Sequence, residues 1–172
     1  LKWLLLLRSL LLLIPMKNKH TFEATLTWEK IQQTAADVVT ISTKSHNVHI
    51  QGKADLAVSA AKAFKGDPSM YNPEDLLLSS LVSCHMMSYL YVCAQHQIEI
   101  ISYTDHAQAI LETYPDGSGK IIEVKLAPKV VVQDSATIEL ANSLHAKANK
   151  LCFIAKSCNF PVQHQSQCTA EY

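Results

Sequence analysis

The chain has 172 residues, with 15 Lys and Arg against 15 Asp and Glu, and no formal net charge. That length suits one domain with a proper buried core, and the balanced charge excludes the basic surface that nucleic acid recruits. Hydrophobic residues make up 48% and Gly and Pro number only 4 and 6, which excludes a disordered or low-complexity chain.

Leu1 to Pro15 stand apart, with nine leucines and the chain's single arginine, Arg8. The run is shorter than the ~20 apolar residues of a membrane span. Arg8 interrupts the apolar core that a signal peptide needs, and no small-residue cleavage site follows. Residues 1–15 are therefore expected to be a leader outside the fold, an over-extended start or a signal-like segment. One domain is expected over 16–172, starting at Met16. Over that stretch thirteen basic residues face fifteen acidic ones, an ordinary balance for a cytoplasmic domain.

His20 to Trp28 alternate, with Phe22, Ala24, Leu26 and Trp28 on one side and Thr21, Glu23, Thr25 and Thr27 on the other. This period predicts a half-buried strand. Val38–Thr43 and Val48–Ile50 are shorter strand candidates. Gln51 to Tyr71 lacks a clear period and closes in a loop at Lys65-Gly66-Asp67-Pro68-Ser69.

Asn72-Pro73-Glu74-Asp75 is a helix start: an amide to cap free N–H groups, a proline preset for the first turn, and two carboxylates at the positive end of the dipole. The helix is expected to run to about Ala94 and is apolar all round, as central helices are. Ser79, Ser80, Ser83 and His85 argue against a membrane span.

Ile98–Tyr103 and His106–Tyr114 read as strands, and the turn Pro115-Asp116-Gly117-Ser118-Gly119 leads into Ile121–Val132, where Pro128 places a break or an edge. Asp134 is expected to cap a second helix with Leu140, Leu144, Ala148 and Leu151 at helical spacing, ending near Lys156. The alternating tail, Phe160 to Ala170, returns to the sheet. The fold class is α+β, antiparallel strands wrapped on two helices.

The five cysteines are Cys84, Cys93, Cys152, Cys158 and Cys168. An odd count without a CxxC pair favours neither a disulfide framework nor a zinc site. Cys93 and Cys158 read as small buried hydrophobes. Cys93 lies about half a turn around the helix from Cys84, so the two do not share a site. Cys84 and Cys152 sit on different helices, and facing cysteines at core packing distance suit redox chemistry, one attacking and one resolving.

Gly66-Asp67-Pro68-Ser69-Met70-Tyr71-Asn72-Pro73-Glu74-Asp75-Leu76-Leu77, then Ser83-Cys84-His85-Met86, Leu144-His145, Leu151-Cys152-Phe153-Ile154 and Asn159-Phe160-Pro161-Val162 resemble the OsmC/Ohr family of thiol peroxidases. The resemblance spans roughly Lys19 to the C-terminus. It implies an OsmC-like, intertwined homodimer that reduces organic or lipid hydroperoxides without a cofactor or metal. Cys84 then corresponds to the peroxidatic cysteine, Cys152 to the resolving one and Glu74 to the family's active-site glutamate. The expected reductant is an external dithiol, such as a lipoylated protein.

Two features depart from that pattern. On a straight helix Glu74 and Cys84 stand about 15 Å apart, so either the segment before Cys84 folds back or the glutamate serves the partner subunit. The family's thiolate-stabilising arginine has no counterpart after Arg8, which leaves His46, a nearby lysine or His85 in its place. The alternatives are an inactive OsmC-like protein binding an apolar or thiol ligand, a thioesterase-like enzyme, for which no dyad or triad is found, and a redox sensor. Retention of Cys84, Cys152 and Glu74 together favours the enzyme.

Overall fold

The computed structural model describes residues 18–29 and 44–171. The leader 1–15 and the strand expected over Val38–Thr43 lie outside the described residues. The order of elements is β1 (Thr25–Thr27), β2 (His46–His49), β3 (Leu56–Val58), α1 (Pro73–Gln95), β4 (Ile100–Asp105), β5 (Gln108–Thr113), β6 (Gly119–Leu126), β7 (Pro128–Val132), α2 (Ile138–Leu151), α3 (Phe153–Ser157), β8 (Val162–His164) and β9 (Gln167–Ala170). They build three three-stranded sheets, β1-β2-β3, β4-β7-β9 and β5-β6-β8.

α1 begins where the sequence signals it. The Asn72 side chain accepts from the Asp75 N–H at 2.9 Å, Pro73 opens the helix, and Glu74 and Asp75 occupy its first turn. It ends as Gln97 turns into the left-handed region at φ 57°. By length and composition α1 could cross a membrane. Instead it is the central helix of the core, burying Leu81, His85, Tyr89, Val92 and Cys93.

Two apolar clusters flank it. Tyr89, Val92, Cys93, Ile98, Val130, Val132, Ala141, Leu144 and Ala148 form the first, against the β4-β7-β9 sheet and α2. Leu81, Val124 and Leu126 anchor the second, against the β5-β6-β8 sheet. Pro128 makes the predicted break: β6 and β7 are consecutive in sequence yet belong to different sheets. Asp105 Oδ1 accepts from the Ala127 N–H at 2.8 Å and holds that crossing.

The pairings β1–β2, β2–β3, β4–β7 and β5–β6 are antiparallel, as expected. The tail returns in parallel, β8 beside β6 and β9 beside β7. The register sets Cys168 opposite Val130 and Ala170 opposite Val132, so the tail's small residues complete the first cluster.

Four expectations need correction. The strand drawn over His20 to Trp28 is only Thr25–Thr27, and its apolar side is not half-buried: Phe22 is 92% exposed and Leu26 60%, because no described element of this chain covers it. The irregular stretch before Tyr71 contains β3 and a 3-10 turn at Lys62–Phe64. Asp134 caps a 3-10 turn, Ser135–Thr137, that leads into α2. The second helix stops at Leu151, not near Lys156, and buries Ala141, Leu144, His145 and Ala148 while Leu140 and Leu151 stay exposed.

The loop feeding α1 is held by close backbone contact. A Cβ on Gly66 would stand 1.6 Å from the Ala60 carbonyl oxygen, a separation only backbone movement relieves. Gly66→Ala is expected to cost about 3 kcal/mol, read from urea unfolding, and an unchanged midpoint would show that the loop yields freely.

Candidate active site

Cys152 interrupts the second helix with an extended backbone (φ −69°, ψ 109°), its N–H still bonded to the Ala148 carbonyl. The side chain thereby turns into the core and caps α3, the Ala155 N–H donating to Sγ at 3.4 Å. Cys152 is buried; Cys84, on α1, is half-buried and lines an open cavity of about 480 Å³.

The Cys84 and Cys152 thiols are neighbours, close enough to interact electrostatically. Burial, with the neighbouring Cys84 thiol adding to it, pushes the Cys152 thiol up to about 11. Cys152 is thus buried and keeps its proton at neutral pH, while Cys84 opens into the cavity. That asymmetry suits Cys84 as the sulfur facing an incoming electrophile and Cys152 as the reserve behind it. Both are reduced, as are Cys93, Cys158 and Cys168. Cys93 lies in the first apolar cluster and Cys158 packs against the second, as their reading as hydrophobes expects.

The cavity is walled by Met87, Ser88, Tyr91, Leu151 and Phe153 around Cys84. Cys84, Met87, Ser88 and Tyr91 are spaced i, i+3, i+4 and i+7, one face of α1. Sequence reasoning missed this wall. The spacing was the available signal, but a helix apolar on every side gives no contrast that marks one face.

Glu74 occupies the first turn of α1, so the helix continues unbroken from it to Cys84. Of the two explanations for their separation, a segment folded back before Cys84 does not hold. The pair stays about 15 Å apart along the axis. Glu74 Oε2 is buried and has no hydrogen-bond partner among the described residues.

The candidates for the absent arginine are differently engaged. Lys44 Nζ donates to the Phe64 carbonyl at 2.8 Å, and His46 Nδ1 lies 2.9 Å from the Lys44 carbonyl oxygen. His85 is buried, its Nε2 3.0 Å from His145 Nδ1. Burial, with His164 nearby, lowers the His85 pKa to about 4, so it is neutral at pH 7 and cannot supply a cation. Among the described residues no group of His, Cys, Asp or Glu is arranged to hold a metal ion.

A solved OsmC-like protein of unknown function from Vibrio cholerae O1 biovar eltor str. N16961 has this fold with a TM-score of 0.75 at 26% identity, covering 86% of this chain and 99% of that one. An organic hydroperoxide resistance protein from Elizabethkingia anophelis matches with a TM-score of 0.64 at 18% identity, over 91% and 99% of the two chains. OhrB of Bacillus subtilis, also an organic hydroperoxide resistance protein, matches with 0.59 at 20%, over 87% and 98%. No curated protein matches the sequence. The OsmC-like protein family matches residues 66–166, the stretch that carries α1, both cysteines of the thiol pair and the strands packed on them, and the chain belongs to that family.

Proposed function

We propose that the protein is a thiol peroxidase that reduces organic hydroperoxides to alcohols. The observation that carries this reading is the neighbouring Cys84–Cys152 thiol pair with the half-buried member opening into an apolar cavity. The Cys84 thiolate attacks the outer peroxide oxygen, the O–O bond breaks, and the alkoxide leaves as the alcohol after taking a proton. Cys84 becomes a sulfenic acid. The Cys152 sulfur then attacks it, forming the Cys84–Cys152 disulfide and releasing water. A dithiol reductant, such as a lipoylated protein, restores both thiols by exchange.

Met87, Tyr91, Leu151 and Phe153 favour an alkyl or lipid chain over hydrogen peroxide, because they bury apolar surface that hydrogen peroxide lacks. The test is mass mapping of reduced protein after one equivalent of cumene hydroperoxide. A Cys84–Cys152 disulfide within seconds supports the peroxidase. Thiols still reduced after many minutes overturn it and favour an apolar-ligand binder.

The active form in this reading is a homodimer. Phe153 is 83% exposed and Tyr91 60%, beside the cavity; Leu26 lies open on the first sheet and Phe22 on the segment leading into it. Apolar surface of this extent is usual at a subunit interface and rare on a monomer. The buried Glu74 Oε2, which has no hydrogen-bond partner among the described residues, fits a carboxylate whose donor comes from the partner subunit. Sedimentation is expected to give twice the chain mass. A monomer with the full peroxidase rate would overturn the cross-subunit role of Glu74.

A further inference from the structure

The helices that carry the thiol pair are joined by two buried polar rungs. His85 Nε2 and His145 Nδ1 are 3.0 Å apart, and the Tyr89 hydroxyl donates to the Ala141 carbonyl at 3.1 Å. Positions 85 and 89 are one turn apart on α1, as 145 and 141 are on α2, so the helices run in opposite directions and the rungs stack. His145 ties them together, its ring lying on Tyr89 at a centroid distance of 3.9 Å and an interplanar angle of 7°.

The first rung has a single workable geometry. Two neutral imidazoles make one hydrogen bond when one ring donates and the other accepts. His85 is 1% exposed and His145 0%, and the outer nitrogens, His85 Nδ1 and His145 Nε2, have no hydrogen-bond partners among the described residues. Sliding α2 along α1 would orphan the inner pair as well, at the cost of two more buried polar groups. Leucines at these positions would pack in many registers; the histidines allow one.

We infer that the His85–His145 bond is a register pin that fixes α1 against α2 so that Cys84 and Cys152 stay within disulfide reach. His85 adjoins Cys84 in sequence, and Cys152 ends the helix that carries His145 two turns earlier. A disulfide demands Cβ atoms about 3.5–4.5 Å apart and a narrow torsion, so a small slip along the helix axis defeats it. The pin is a positioning device, acting on the resolving step and not on attack at the peroxide. Its purpose rests on the peroxidase reading, but its test does not.

The test is the effective concentration of the Cys84–Cys152 pair, measured by mass spectrometry in glutathione redox buffers with no hydroperoxide present. His145→Leu and His145→Asn have nearly the same size, and only the asparagine can bond to His85. H145L is expected to lower the effective concentration about tenfold, and H145N to hold it near the unaltered value. Leu126→Ala, a cavity in the second cluster, is expected to lower stability without moving it.

An effective concentration unchanged in H145L overturns the pin, as does an equal fall in L126A, which would mark a merely structural effect. If H145L does not fold, His85→Leu with His145→Leu leaves no orphaned nitrogen and is read the same way. Unaltered protein that forms the disulfide in glutathione but ignores cumene hydroperoxide keeps the pin and sinks the peroxidase instead.

Discussion

Cys84→Ser is expected to reduce organic hydroperoxide turnover by at least about a thousandfold, because a serine hydroxyl at neutral pH does not replace a thiolate as the nucleophile. Cys152→Ser is expected to behave differently. It leaves Cys84 and its cavity intact, so the first attack survives and one equivalent of alcohol forms. With no resolving thiol, the sulfenic acid persists and a second peroxide carries it to sulfinic acid, two oxygens heavier than the thiol. Single-turnover alcohol release and intact mass separate the two variants. Equal loss of the first turnover in both would mean that Cys152 is needed for attack itself, and the assigned order of the two sulfurs would be wrong. The buried position of Cys152 and its thiol pKa of about 11 are the physical basis of that order.

The parts of this fold legible in the sequence are those governed by local chemistry. Asn72, Pro73, Glu74 and Asp75 specify a helix start through groups within one turn, and α1 begins there. The Asp116–Ser118 turn is equally local, Gly117 adopting φ 85° between β5 and β6. What escaped was decided by partners distant in sequence. β3 spans three residues, too few to show a period, and exists because β2 pairs with it. The parallel return of β8 and β9 depends on β6 and β7 and leaves no local mark. The helix break at Cys152 has neither Gly nor Pro to announce it.

The site shows the same division. Cys84, Cys152 and Glu74 were named through motif resemblance, and the chain brings the two cysteines together but leaves Glu74 at the far end of α1. The all-round apolarity of α1 has two sources. One side meets the two internal clusters, while Met87 and Tyr91 line the cavity and remain exposed. A sequence cannot distinguish apolar residues meant for the core from apolar residues meant for a ligand or a second subunit, since the same burial drives all three. His145 was visible only as part of the Leu144-His145 motif and His164 not at all; their grouping around His85 emerged only with the packing of α1, α2 and β8.

That packing predicts acid sensitivity at unusually mild pH. Burial lowers His85 to about 4 and His145 to about 3, and His164 is lowered by burial as well. The neighbours that add to these shifts are other histidines of the cluster, with ring centroids 5.3 to 6.0 Å apart, so charging one opposes charging the next. The unfolded chain takes up these protons near pH 6.5, while the native state refuses them until far lower pH. The stability that depends on these histidines is therefore constant above about pH 6.5 and falls as the pH drops through that value toward 4 and 3. At pH 5 each of His85 and His145 is expected to cost about 2 kcal/mol, some 4 kcal/mol together, a large share of the ~5–15 kcal/mol that holds a domain folded. Asp67 and Asp116, held low by their hydrogen bonds to Ser69 and Ser118, contribute only below the ordinary carboxylate range. Asp105, raised by burial, takes up its proton early and offsets part of the loss at the acid end. Urea midpoints at pH 7.5 and pH 5 test the cluster, with His85→Gln and His145→Asn combined as the control that removes both titrations. A midpoint equal at the two pH values in the unaltered protein would show that the histidines charge in place and that the packing of α1 on α2 tolerates it.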